Sequence, residues 1–176
     1  MVPSPRPDER ALPIDLGICW NIGAPTPTLV QNEFDAWLLF YVQEYDPAWE
    51  GTHVKVLDPG SPGAEALGII HWLGCRGAVL GGVNDEARHG HRLWNRGFSS
   101  DTYGAYEVRP SAWIKRLRDE NRVHPRHSEY PFTILRHFLL GFHDSTFECV
   151  ARSFYIETRL CSYRDALREI ADRAAT

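Results

Sequence analysis

The run at 36–42, Ala-Trp-Leu-Leu-Phe-Tyr-Val, is apolar at every position. A half-exposed strand alternates and a surface helix repeats every three to four residues. An unbroken apolar run this short therefore predicts a strand buried on both faces. Asp46-Pro47 ends it, since proline has no amide to give to a ladder. Residues 54–57 predict another short strand, closed by the turn-rich segment 58–63, Asp-Pro-Gly-Ser-Pro-Gly. Two more strands follow at 67–73 and 75–80 with Gly74 at the bend between them, and a further one at 104–108.

Helices come singly. Ser111 is a good cap for a short helix whose Trp113, Ile114 and Leu117 make an apolar stripe and which ends near Asn121. Ser162-Tyr-Arg-Asp165 is close to a capping box and starts the last helix. There Ala166, Leu167, Ile170 and Ala174 face inward while Arg168, Glu169 and Arg173 face water. Alternating strand and helix units are absent. The pattern predicts an α+β, β-rich fold, an antiparallel sheet of sandwich-like or barrel-like form packed by two helices, one of them C-terminal. Residues 12–176 are expected as one domain, and the Pro-bearing segment 1–11 as a disordered lead without the apolar core of a signal peptide.

Residues 137–156 predict a long β-hairpin. With Asp144-Ser145 as its turn, His143 faces Thr146, Gly141 faces Glu148 and His137 faces Arg152. Alternation then puts Phe138, Leu140, Phe142, Phe147, Cys149 and Ala151 on a core face. The other face carries His137, Leu139, Gly141, His143, Thr146, Glu148, Val150 and Arg152. His143 and Glu148 become diagonal neighbours, about 5–7 Å apart at Cβ, and Gly141 leaves room for a ligand. A carboxylate at that distance orients an imidazole and raises its pKa, which makes a general base. The candidate catalytic residues are His143, Glu148 and, in the turn beside them, Asp144.

After Gly81-Gly82 the apolar pattern stops for some fifteen residues. Asn84, Asp85 and Glu86 supply acceptors, and His89 and His91 are spaced to point to one side of an extended segment. With Arg152 they form the candidate substrate-binding set, a loop closing over the hairpin. A His-x-His pair holds a transition metal when a third ligand joins it. That ligand would have to come from Asp85, Glu86 or His143, so no metal ligand is assigned and the cofactor is left open. Cys75 lies four residues after His71, but the Gly74 bend breaks their alignment and a buried structural thiol is expected. His124 and His127 belong to a basic surface turn.

Composition narrows the partners. The chain has 176 residues, 43% hydrophobic and 24% charged, as an ordinary globular protein does. A net charge of -4 leaves no basic field for a phosphate backbone or an anionic membrane, so neither nucleic acid nor membrane is expected. No apolar run is long enough for a bilayer. The four cysteines show neither CxxC nor finger spacing, which fits reduced thiols in a cytoplasm. No phosphate loop, GxSxG elbow or HExxH is present. Two classes of function remain. One is a lyase, isomerase, cyclase or hydrolase acting on a small molecule through His143 and Glu148. The other is a non-catalytic ligand-binding, immunity-type or partner-binding module using the same polar face. An enzyme needs the loop and the hairpin to converge on one concave pocket. The oligomeric state is not legible.

Overall fold

The computed structural model describes residues 8–44, 56–98 and 104–176. Two antiparallel sheets account for its nine strands. In chain order these are β1 (Arg10–Ile14), β2 (Thr28–Gln31), β3 (Ala36–Tyr41), β4 (Glu65–Leu73) and β5 (Gly77–Gly81), then β6 (Ala105–Arg109), β7 (Arg136–Gly141), β8 (Thr146–Ala151) and β9 (Ser153–Cys161). One sheet runs β1-β6-β7-β8-β5 and the other β2-β3-β4-β9. Helix α1 (Ala112–Asn121), a single turn α2 (Tyr130–Thr133) and the C-terminal α3 (Tyr163–Ala174) pack on the outside. The α+β, β-rich architecture expected from the pattern is the one observed.

The core lies between the sheets. Leu38 and Phe40 of β3, Ile70 and Trp72 of β4, Phe138 and Leu140 of β7, and Phe147 and Cys149 of β8 form one buried cluster. The intervening residues of β3, Trp37, Leu39 and Tyr41, are buried on the opposite face under Tyr163, Ala166 and Ile170 of α3. Strand β3 is apolar throughout because it is covered on both sides. The outer face of the five-stranded sheet is covered in two patches. Leu93 and Phe98 lie over Tyr106, Val108 and Leu139, while Trp113 of α1 and Leu135 lie over Val150.

Both helix caps form as their sequences predict: Ser111 Oγ accepts from the Ile114 amide and Ser162 Oγ from the Asp165 amide.

Three expectations change. Strand β1 begins at Arg10, Ala11 is buried and so is Glu9, so the folded body starts before residue 12. Residues 1–7 lie outside the described residues. Of the strand expected at 54–57, the described residues Val56 and Leu57 have no strand pairing, and Val54 and Lys55 lie outside the described residues. The long hairpin is in fact three strands, because the chain leaves one sheet at Arg152 and enters the other as β9.

That crossing builds a corner. Leu73 pairs with Ser153 in the four-stranded sheet and Gly77 with Val150 in the five-stranded one. Between those pairs lie Gly74, Cys75 and Arg76 on one strand but only Ala151 and Arg152 on the other. The extra residue is a β-bulge, which bends a strand pair and lets it pass from one sheet to the next. Arg152 N–H donates to Leu73 O at 2.9 Å and Arg76 N–H to Val150 O at 2.7 Å, so the ladder holds on either side of the bend.

Candidate functional site

The hairpin β7–β8 pairs Gly141 with Thr146, Leu139 with Glu148 and His137 with Val150. Phe142 N–H donates to Ser145 O, which makes His143-Asp144 the turn. The register is thus displaced by two residues from the one expected with Asp144-Ser145 in the turn. A slip of two leaves every side chain on its own face. Phe142 and Phe147 are both fully buried in the inner core, as expected. The neighbours of Glu148 do change: the imidazole it meets is His137, and His143 is carried out to the turn.

Glu148 is the hub of a buried polar cluster. His137 Nε2 lies 2.8 Å from its Oε2 and His91 Nε2 3.3 Å from its Oε1. Arg92 donates to both oxygens, at 3.0 and 2.7 Å. The Leu93 amide donates to His91 Nδ1, so the ring proton of a neutral His91 sits on Nε2 and points at the carboxylate. The Ser111 hydroxyl lies 2.9 Å from His137 Nδ1, and its oxygen also caps α1. Burial alone would raise the Glu148 pKa, but the hydrogen bonds from His137 and His91 and the charge of Arg92 outweigh it. Together they hold the carboxyl far below the usual carboxylate range. Four donors occupy its four acceptor sites. Such a carboxylate has no site left for a substrate proton, and it fastens the loop to the sheet.

The expected dyad of His143 and Glu148 does not form. His143 Nδ1 meets Asp85 Oδ2 at 2.8 Å, and the Asp85 amide donates to His143 O. Asp144 is 82% exposed in the turn and lies 3.8 Å from His143 Nε2. Asn84 Oδ1 accepts from the Ala87 amide within its own loop, and Glu86 is exposed. His89 is exposed, its ring nearly perpendicular to that of Trp94, whereas His91 turns inward, so the two histidines of the His-x-His pair diverge. Gly141 does not open a ligand space either: a Cβ there would stand 3.2 Å from Phe98 and 3.4 Å from Arg88. Loop and hairpin converge, but onto a filled surface. Among the described residues no group of three or more His, Cys, Asp or Glu is placed to hold a metal ion.

Open space is found at the other end of the hairpin, where Arg152 lies about 20 Å along the strands from the turn. A cleft of about 320 Å³ is lined by Phe34, Asp35, Gly74, Arg76, Tyr130, Pro131, Ile134, Leu135 and Arg152. Four segments of chain build it. The β2–β3 turn supplies Phe34 and Asp35, both of whose amides donate to Asn32 Oδ1. The corner bulge supplies Gly74, Arg76 and Arg152, and the segment through α2 supplies the apolar wall. Gly74 has φ +59°, a left-handed conformation in which a side chain is strained. A Cβ there would also collide with Nε of Arg152, whose side chain lies directly over it. Asp35 is held from two sides, by the Gly74 amide at 2.8 Å and by His71 Nε2 at 2.9 Å. His71 is stacked on Trp37. Among the described residues neither Arg76 nor Arg152 is paired with a carboxylate.

Of the expected substrate-binding residues only Arg152 lines this cleft. Phe34, Asp35, Arg76 and Tyr130 went unnoticed in the sequence because they come from segments far apart in the chain. The one local signal was Gly74 between two strands, which marks a bulge as readily as a bend. No family model, no curated protein and no solved structure matches the chain.

Proposed function

We propose that this protein is a small-molecule-binding domain whose ligand is an organic anion seated in the corner cleft. The observation that carries this reading is the pair Arg76 and Arg152, two arginines that line one cavity and have no carboxylate partner among the described residues. Arginine presents a planar fork that matches carboxylate or phosphate oxygens. Its neighbours Phe34 and Tyr130 are 67% and 70% exposed, so the cleft has an apolar shelf beside its cationic end. The cavity volume lies at the lower end of the range for small-molecule sites. A bulged sheet corner is a common way to aim side chains at such a site.

Nucleic acid and membrane stay outside this reading. The net charge is -4, and among the described residues no helix is long and apolar enough to cross a membrane. A reducing cytoplasm is part of the reading, supported by four unpaired cysteines.

Catalysis is a second reading, and it moves with the cleft. Asp35 in the cleft wall is hydrogen-bonded to His71, an acid–base pair of the expected type in a different place from the hairpin. It predicts that His71→Gln lowers turnover by far more than it weakens ligand binding, with the two measured side by side on the same preparation.

The binding reading is tested by calorimetric titration of the full chain with phenyl phosphate, 3-phenylpropionate and neutral benzyl alcohol. The two anions should bind, and Arg152→Gln and Arg76→Gln should each weaken them about ten-fold or more, as loss of a charge-assisted hydrogen bond does. Equal binding of benzyl alcohol, or anion binding indifferent to both substitutions, would remove the reading.

A further inference from the structure

Resting on that reading, we infer that the ligand is a zwitterion, an α-amino acid with an apolar or aromatic side chain, whose ammonium group is received by Asp35. The cleft does not hold cations alone. Asp35 shares its wall with Arg76 and Arg152, so a purely anionic ligand would meet a fixed negative charge beside the two positive ones. A ligand with a carboxylate at the arginines and an ammonium at Asp35 satisfies all three. The carboxylate of Asp35 is built to receive it. Each oxygen already accepts one hydrogen bond, from the Gly74 amide and from His71, which fixes its position. A carboxylate has about four acceptor sites, so each oxygen keeps one for an incoming N–H.

The apolar wall of Phe34, Tyr130, Pro131 and Ile134 then takes the side chain. Phe34, Tyr130 and Ile134 are large apolar residues left exposed, an arrangement that typically marks a binding surface. Arg152 stands over Gly74, whose amide holds Asp35, so the same glycine positions both charged ends of the site.

The test uses the full chain and three probes: L-phenylalanine, 3-phenylpropionate, which lacks the amine, and N-acetyl-L-phenylalanine, whose amine carries no charge. L-Phenylalanine should bind at least ten-fold more tightly than either analogue. Asp35→Asn should erase that preference, and with the fixed negative charge gone 3-phenylpropionate should bind at least as tightly as it does to the unaltered protein. If 3-phenylpropionate binds through Arg152 as tightly as phenylalanine, the zwitterion inference falls and the anion-binding reading stands. If phenylalanine keeps its advantage in Asp35→Asn, Asp35 is not the receptor of the amine and the inference also falls. If no probe binds, both fall. Should Asp35→Asn fail to fold, the comparison of the three probes on the unaltered protein decides.

Discussion

Glu148 shows how one buried carboxylate joins three parts of the chain, since its donors come from β7 and from the loop after β5. Replacing one partner of a buried ionic group typically costs about 3–5 kcal/mol, because the other charge stays buried unpaired. Glu148→Gln keeps the volume but leaves the Arg92 charge without a counter-ion, so it should cost about 3 kcal/mol near neutral pH. The direction with pH follows from the lowered pKa of Glu148. A carboxyl whose folded pKa is depressed stabilises the fold above the unfolded value of about 4.3, and that contribution is lost as pH falls through the folded value. Urea unfolding of the two proteins should therefore differ most above about pH 5 and converge in stronger acid. Coincident midpoints at pH 7 would show that the cluster contributes nothing. Ser111→Ala removes the α1 cap and the partner of His137 Nδ1 together. It should cost about 1–2 kcal/mol by the same measurement.

Among the elements, β1 and α1 are tied together by the first described residues. Glu9 is fully buried, and its Oε1 accepts from the Ala112 amide in the first turn of α1 at 2.8 Å. A carboxylate at a helix N-terminus meets unsatisfied amides and the positive end of the helix dipole, an interaction of about 0.3–2 kcal/mol. Shortening the chain to start at Asp8 should leave the melting temperature unchanged, since polar, Pro-rich ends rarely contribute packing. Starting it at Arg10 should lower stability by about 1–2 kcal/mol, or several degrees in melting temperature. Equal melting of the two shortened chains would dismiss the Glu9 contact. Strand β4 carries a separate constraint at Gly68, where a Cβ would stand 2.6 Å from the Phe40 ring and 2.8 Å from Ile18. Gly68→Ala forces that packing apart and should cost about 1–3 kcal/mol.

At the scale of the whole molecule, the two-sheet core determines which thiols react. Cys149 is fully buried between the sheets and Cys75 nearly so, and burial pushes the Cys75 thiol up to about 11 and that of Cys149 well above its ordinary value. Cys19 is exposed. The thiolate is the reactive species, so iodoacetamide at pH 8 should label Cys19 in the native protein and spare Cys75 and Cys149 until denaturant is added. Peptide mass spectrometry reads the three sites separately. Rapid native labelling of Cys149 would mean that the sheets part far more readily than a core of this kind allows.

What the chain order alone determined is whatever depends on near neighbours and on periodicity. The doubly buried β3 follows from an unbroken apolar run, and the Ser111 and Ser162 caps, the inward stripe of α3 and the two faces of the β7–β8 hairpin follow from spacings of two or three to four residues. The faces survived an error of two in the register because side chains alternate with a period of two. The partners of Glu148 did not survive it, because a cross-strand neighbour depends on absolute register, and that is set by where the turn closes. Tertiary structure alone decided the rest. Gly141 looked like open space and is filled by Phe98 and Arg88, which arrive from a loop more than forty residues away in sequence. Asp35, Arg76 and Arg152 line one cleft only because a single extra residue bends two strands from one sheet into the other. Such convergence has no signature in local sequence, since each residue is ordinary among its own neighbours and acquires its role from charges that folding brings beside it.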